Sequence, residues 1–325
     1  MTITQTWTAL VVAAAASFLQ AEPPAQSIAD VRVFAVYEPV FSRQDVELLA
    51  RVHPDFVCRG WFKWHNTPDW QAYAPLAQAC LEKGILLQGG ITCAALYPGE
   101  NGIDDATFRD FACGDTQGHP FRYAHFSSGF EWYHLSLYNP KVIETLKREV
   151  RLQIDAGAVG IWYDEIEGYY DWNPTEGYDP YACAAFRDWL LRKYCAGLGW
   201  SEDDARWQLQ FNVDLAKHGG SMRTFDYLRH LQTTLGKDGK PLADNPPQGN
   251  PRGWTTSANP LYREWGYAWN RKAQGTFRFD TVAALFADLL ADAGRYAREK
   301  YGRTLISTYN HNGTARPGVA FQQPH

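Results

Sequence analysis

Asp164, Glu165 and Glu167 place three carboxylates within four positions, directly behind the apolar run Ala158-Val159-Gly160-Ile161-Trp162-Tyr163. Nowhere else does the chain change so fast from apolar to acidic. Carboxyl groups in such a place can act as nucleophile, general acid or general base, or can stabilise a developing positive charge. The run itself is β-type, and Gly157 stops the helical segment ahead of it. Side chains alternate along a strand, so Trp162 and Asp164 share one face while Ile161, Tyr163 and Glu165 take the other. In parallel βα folds the carboxyl ends of the strands carry the chemistry, because the loops that follow them converge there. If the Trp162 face looks inward, Asp164 stands at that end with an aromatic ring just beneath it. The competing reading is that the acids only cap or solvate a strand end.

The elements that must position these residues can be taken in chain order. Val31 to Tyr37 predicts a first strand, followed by a short helix from Ser42 to Val52 with Val46, Leu48 and Leu49 on its apolar side. Phe56 to Phe62 predicts a second strand running into Lys63-Trp64-His65-Asn66. The next helix has Thr67 as N-cap, Pro68 in its first turn and Gly84 just past its end. Ile85 to Thr92 is a third strand, apolar enough to be covered on both faces. Residues 97–138 form a long aromatic and Gly-rich excursion containing Arg122, His125, Trp132 and His134, either functional or built of small elements of its own. Asn139-Pro140 opens a helix with Val142, Ile143, Leu146, Val150 and Ile154 on one buried face, and the acidic-ended fourth strand follows.

Asp179-Pro180 starts another helix, carrying Phe186, Leu190 and Tyr194. Residues 196–275 hold a polar, helix-prone piece and then a Gly/Pro/Asn-rich stretch, which together suggest an insertion lying over the strand ends. A strong helix from about Asp280 to Lys300 leads into a fifth strand, Thr304 to Tyr309, ending in Asn310-His311. Strands alternating with helices of these lengths imply an α/β fold with a parallel sheet. The expectation is a (β/α)8 TIM-barrel type, with about five βα units visible and a long insertion after strand 4. Either three strands are hidden in the excursions, or the chain is the N-terminal part of a longer protein.

Composition narrows the function class. A net charge of −5 with no basic run argues against nucleic acid as the main partner. Aromatic residues make up 15% of the chain, including 13 Trp and 18 Tyr. Sugar rings present apolar C–H faces that stack on aromatic faces, so such residues around acids suit a carbohydrate cleft, although a large α/β core also uses aromatics as filling. The six cysteines show no C-x-x-C pair and no zinc-ligand spacing, which reads as mostly buried free thiols or, in an exported protein, a disulfide or two; no H-E-x-x-H occurs, so no metal and no cofactor are expected. The apolar run Trp7 to Leu19, followed by Gln20-Ala21-Glu22-Pro23-Pro24, resembles an export signal, though no Lys or Arg precedes it. Residues 1–26 are therefore expected to be a signal peptide or a disordered leader, and 27–325 a barrel domain with 196–275 inserted. That predicts a secreted or periplasmic protein, otherwise a cytoplasmic one. The run is too short to span a membrane, and no membrane partner is expected.

The segment from Asn139-Pro140 through Gly160-Ile161-Trp162-Tyr163-Asp164-Glu165 resembles the fourth strand of glycoside hydrolase TIM barrels. Tyr178 to Leu190, and Leu261-Tyr262-Arg263-Glu264-Trp265 with the helix and strand that follow, are similar to β-galactosidase-like enzymes and related hypothetical glycosyl hydrolases. Those β-galactosidases usually show Asn-Glu at the end of strand four, whereas an Asp there resembles the nucleophile of α-galactosidase- and α-amylase-type barrels. The resemblance implies a glycosidase, leaving the anomeric preference open.

Glycoside hydrolysis needs two carboxyl groups flanking the scissile bond, one protonated to assist the leaving group and one ionised. Asp164 is the first candidate, as nucleophile or charge stabiliser. Glu167 is the candidate partner acid, and Glu165 a further one if it turns into the loop; Glu38 is the remaining carboxylate within reach of a strand end. Substrate-binding candidates at strand ends are Tyr37, Glu38, Trp61, Lys63, Trp64, His65, Thr92, Trp162, Tyr309, Asn310 and His311. The implied partner is an oligo- or polysaccharide or another glycoside. The alternative is a non-catalytic carbohydrate-binding protein on a degenerate or incomplete barrel. A third, weaker alternative is a metal-dependent hydrolase using Asp164, Glu167 and nearby histidines.

Overall fold

The structure is a computed structural model that describes residues 35–37, 40, 42–58, 70–93, 95–96, 104–120, 122–123, 132–164, 177–244, 259–266 and 275–309. Its strands and helices alternate as the periodicity requires. Strand β1 (Ala35–Tyr37) is followed by helix α1 (Arg43–Val52), β2 (Phe56–Cys58), α2 (Trp70–Glu82) and β3 (Leu86–Thr92). Ser42 caps α1, accepting from the Asp45 amide while the Asp45 carboxylate accepts from the Ser42 amide, so two of the orphan amides of the first turn are satisfied reciprocally. The short β4 (Ala95–Leu96) precedes the 97–138 excursion, within which lie α3 (Asp105–Phe111), β5 (Arg122–Tyr123) and β6 (Trp132–His134). The three short strands form their own antiparallel sheet in the order β4-β6-β5. Helix α4 (Pro140–Asp155) then leads through Gly157, whose φ of +108° only glycine tolerates readily, into β7 (Gly160–Asp164).

Beyond β7 come α5 (Pro180–Leu190), which continues in a π-helical turn over Leu191–Ala196, and the short helices α6 (Arg206–Phe211), α7 (Tyr227–Thr233) and α8 (Pro260–Trp265). The long α9 (Phe277–Tyr301) and β8 (Ile306–Tyr309) complete the described chain. Strands β1, β2, β3, β7 and β8 form one five-stranded parallel sheet in that order, consistent with an incomplete TIM barrel. Pairing of β3 with β7 is marked by bonds from the Val159 amide to the Leu87 carbonyl and from the Cys93 amide to the Asp164 carbonyl, both 2.9 Å.

The described residues divide into two compact units. One contains the residues up to Ile91, with Arg148–Tyr163 and Ala293–Tyr309. Its core on one side of the sheet packs Val57 and Leu87 against Val46 of α1 and Tyr73, Ala77 and Cys80 of α2. Leu48, expected to face inward, is 51% exposed: α1 buries only the narrower stripe of Val46 with Leu49 packed beside it. The end of α9 is tied to the end of α4 by Asp155, which accepts hydrogen bonds from Tyr296, Lys300 and Tyr301, and by Arg303, which donates to the Ile154 and Ala158 carbonyls.

The other unit contains Thr92–Lys147 and the described residues between Asp164 and Asp292. Its core is aromatic: Trp189, Trp200, Trp207 and Trp265 are all buried. Tyr194 and Trp200 lie 4.7 Å apart between ring centroids, and Trp200 and Trp207 4.9 Å. These four tryptophans fill a core. The part of the aromatic excess that they represent carries no sugar-stacking surface, and the weight that composition gave to a carbohydrate cleft is reduced accordingly.

Candidate functional site

Two polar contacts fix which face of the parallel sheet is which. On β3, the Gln153 side chain of α4 donates to the Gly90 carbonyl at 3.1 Å, and a Cβ at Gly89 would clash with its amide oxygen. Gly89 therefore faces the helices. Gln88, its neighbour, faces the other way, and its amide nitrogen bonds the Thr308 hydroxyl of β8 at 2.7 Å. The register pairs Thr308 with Trp162, so Gln88, Thr308 and Trp162 lie on one face. On that face Trp162 packs with Phe56, Cys58, Ala35 and Val159, a cluster separate from the helix-side core. Burial pushes the Cys58 thiol up to about 12, so it stays a protonated, apolar wall rather than a nucleophile.

Asp164 is the last residue of β7, two positions beyond Trp162, and the alternation of the strand gives it the same face. It is buried, 7% exposed. Its backbone carbonyl accepts from the Cys93 amide, which binds the end of β7 to the end of β3. Thr92, the last residue of β3, is 2% exposed, and its hydroxyl has no hydrogen-bond partner among the described residues. A hydroxyl that both donates and accepts, at the end of the strand next to the one that ends in Asp164, is a suitable ligand for a sugar hydroxyl.

Of the other residues singled out by sequence, Tyr37 is the last residue of β1 and is in register with Cys58. Tyr309 ends β8 in register with Tyr163, and the β8 residue paired with Trp162 is Thr308. Glu38, Trp61, Lys63, Trp64, His65, Glu165, Glu167, Asn310 and His311 lie outside the described residues, as does His125. His134 is buried in β6, its carbonyl accepting from the Cys113 amide at 2.7 Å. Gln88 and Thr308 were missed by the sequence reading. The available signal was Gln88 itself, the one strongly polar side chain inside the apolar run Ile85 to Ile91.

One other carboxylate is strongly perturbed. Burial pushes Asp179 up to about 6, even though the Ala182 amide, the Ser136 hydroxyl and the Tyr181 amide all donate to it. Those bonds make it the N-cap of α5 and tether the segment after β6 to that helix. A carboxyl with a raised value is what paired-carboxylate chemistry requires of one member, but here a single oxygen, Oδ1, accepts all three bonds in capping. Among the described residues, no three His, Cys, Asp or Glu side chains are grouped so as to hold a metal ion. All six cysteines are free thiols.

No family model and no curated protein matches the chain. Among solved structures it is similar to an α-galactosidase from Thermus thermophilus in complex with stachyose, at 19% identity and a TM-score of 0.34 over 42% of this chain and 33% of that one. An α-N-acetylgalactosaminidase from Bifidobacterium bifidum in its GalNAc complex is similar at 13% identity and a TM-score of 0.33, over 51% of this chain and 33% of that one. A dextranase of Flavobacterium johnsoniae complexed with glucose is similar at 12% identity and a TM-score of 0.32, over 41% of this chain and 18% of that one. The chain thus spans a third or less of the length of these structures.

Proposed function

We propose that this chain is a glycoside hydrolase-like module in which Asp164 supplies the ionised carboxylate, as nucleophile or charge stabiliser, of a paired-carboxylate reaction. The observation that carries the reading is the position of Asp164: buried, at the carboxyl end of an inner strand of a parallel sheet, on the Trp162 face and tied to the end of β3. Such a place withholds water from a carboxylate while leaving it at the edge where successive loops begin. Glu167, or Glu165, is the proposed partner acid. Thr92 and Trp162, with Tyr37, Glu38, Trp61, Lys63, Trp64, His65, Tyr309, Asn310 and His311 around the strand ends, are the proposed sugar contacts. The substrate is an oligo- or polysaccharide or a smaller glycoside. The module comprises residues 27–325, with 196–275 inserted, behind residues 1–26 as a signal peptide or disordered leader.

The test is a screen of p-nitrophenyl α- and β-glycosides with the chain and its Asp164→Asn variant. The substitution keeps shape and removes charge, so kcat/KM should fall by about 10²–10⁴-fold. Unchanged turnover removes Asp164 from the mechanism. A second reading, a carbohydrate-binding protein on an incomplete barrel, is favoured by the count of five parallel strands among the described residues. It requires sugar binding by calorimetry with no product released.

A further inference from the structure

Gln88 is a fully buried carboxamide on the Trp162 face, and only half of it is used. Its nitrogen is spent on Thr308, whereas its oxygen has no hydrogen-bond partner among the described residues. The flanking side chains on that face, Phe56, Cys58 and Trp162, are buried and, apart from the indole nitrogen of Trp162, offer little to bond with. A leucine or methionine would fill the position without stranding a polar atom, and burying an unsatisfied acceptor works against folding. Polar groups retained at such a cost concentrate where a ligand uses them. The amide is also held in place: the short bond to Thr308 spans from β3 to β8, with β7 between them in the sheet order, and fixes the carboxamide plane. Thr308, unlike Gln88, is partly exposed.

From this arrangement we propose that the Gln88–Thr308 pair is a hydroxyl-binding subsite, at which one ligand hydroxyl bonds the free amide atom of Gln88 and the Thr308 Oγ1 together. A hydroxyl fits because it donates and accepts at once. Thr308 can serve as donor or acceptor, so the free amide atom can be the oxygen or, with the amide turned over, the nitrogen; a hydroxyl satisfies either. A carbonyl or an ammonium group would satisfy only one. The choice of a sugar as the hydroxyl's carrier rests on the glycosidase reading above; the subsite itself does not.

The experiment measures binding of methyl α- and β-glycosides of glucose, galactose and their N-acetylamino forms by calorimetry, for the full chain and for Gln88→Met and Thr308→Val. Both variants should weaken the sugar that the unaltered chain binds by tenfold or more, and ligand-free Gln88→Met should melt higher than the unaltered chain because the stranded atom is gone. Undiminished binding by Thr308→Val, a near-isosteric change at a partly exposed site, overturns the proposal even if Gln88→Met fails to fold. So does an absence of binding by the unaltered chain to every sugar in the set. Asp164→Asn measured alongside separates the two readings. Loss of binding at Gln88 and Thr308 with full turnover in Asp164→Asn keeps the subsite and removes the catalytic assignment. Loss of turnover in Asp164→Asn with intact binding in the other two does the reverse.

Discussion

At the scale of single residues, two glycines set how closely the sheet can be approached. A Cβ on Gly160 would lie 2.5 Å from the Ile306 carbonyl oxygen, a backbone atom that cannot step aside without moving β8. A Cβ on Gly89 would meet the Gln153 amide oxygen, a side-chain tip, yet one anchored by its bond to the Gly90 carbonyl. Gly89→Ala should therefore destabilise by about 1–3 kcal/mol through loss of that buried bond. Gly160→Ala should cost more, because strand pairing itself is disturbed. Denaturant midpoints check the ranking, and in a Gln153→Ala background the Gly89→Ala cost should largely vanish. An undiminished cost there would mean that Gln153 is not what the new methyl meets. Gly160 matters beyond stability, since it begins the strand that carries Trp162 and Asp164.

At the scale of elements, the helical segments that follow β7 in the chain contain buried ionisable groups with opposite pH responses. Burial lowers His218 and pushes His230 down to about 3, and His230 stacks on Tyr227 with its Nδ1 against the Thr234 hydroxyl. Both are lowered in the fold, so the unfolded chain binds protons more readily. Their contribution is full above about pH 6.5 and is lost as pH falls below it. Asp179 acts in the other sense: raised from 3.8 to about 6, its contribution is full below about pH 3.8 and is lost as pH rises from there through 6. Two outcomes follow. His230→Phe, which keeps a ring against Tyr227, should flatten the fall in stability between pH 7 and pH 5. Asp179→Asn keeps a capping side chain, so it should raise the melting temperature at pH 8 and leave it nearly unchanged near pH 3, below both carboxyl values. An equal effect of Asp179→Asn at both pH values would show that the carboxyl is not the titrating group.

At the scale of the whole molecule, what was legible in the sequence followed from local punctuation. Asp179-Pro180, Asn139-Pro140, Gly84 and Gly157 mark helix ends correctly because caps and stops are decided within one turn. The five parallel strands stand out because each is a short apolar run between such marks. The small sheet of β4, β5 and β6 did not stand out, since strands of two or three residues carry no readable period. The aromatic excess misled in part: Trp200 and Trp207 sit in polar-looking sequence yet fill a core, and composition cannot distinguish a ring that stacks on sugar from one that stacks on another ring. Asp164, Thr92 and Tyr309 end β7, β3 and β8, positions readable from the sequence, whereas only the pairing of β7 with β8 reveals that Thr308 lies opposite Trp162. The most direct measurement of the central claim is a crystal structure of the chain with a bound sugar. The account predicts the anomeric carbon within about 3–3.5 Å of an Asp164 carboxylate oxygen, the distance of a near-attack geometry. A sugar seated away from the ends of β3 and β7, or an Asp164 carboxylate turned into bulk solvent, would contradict it.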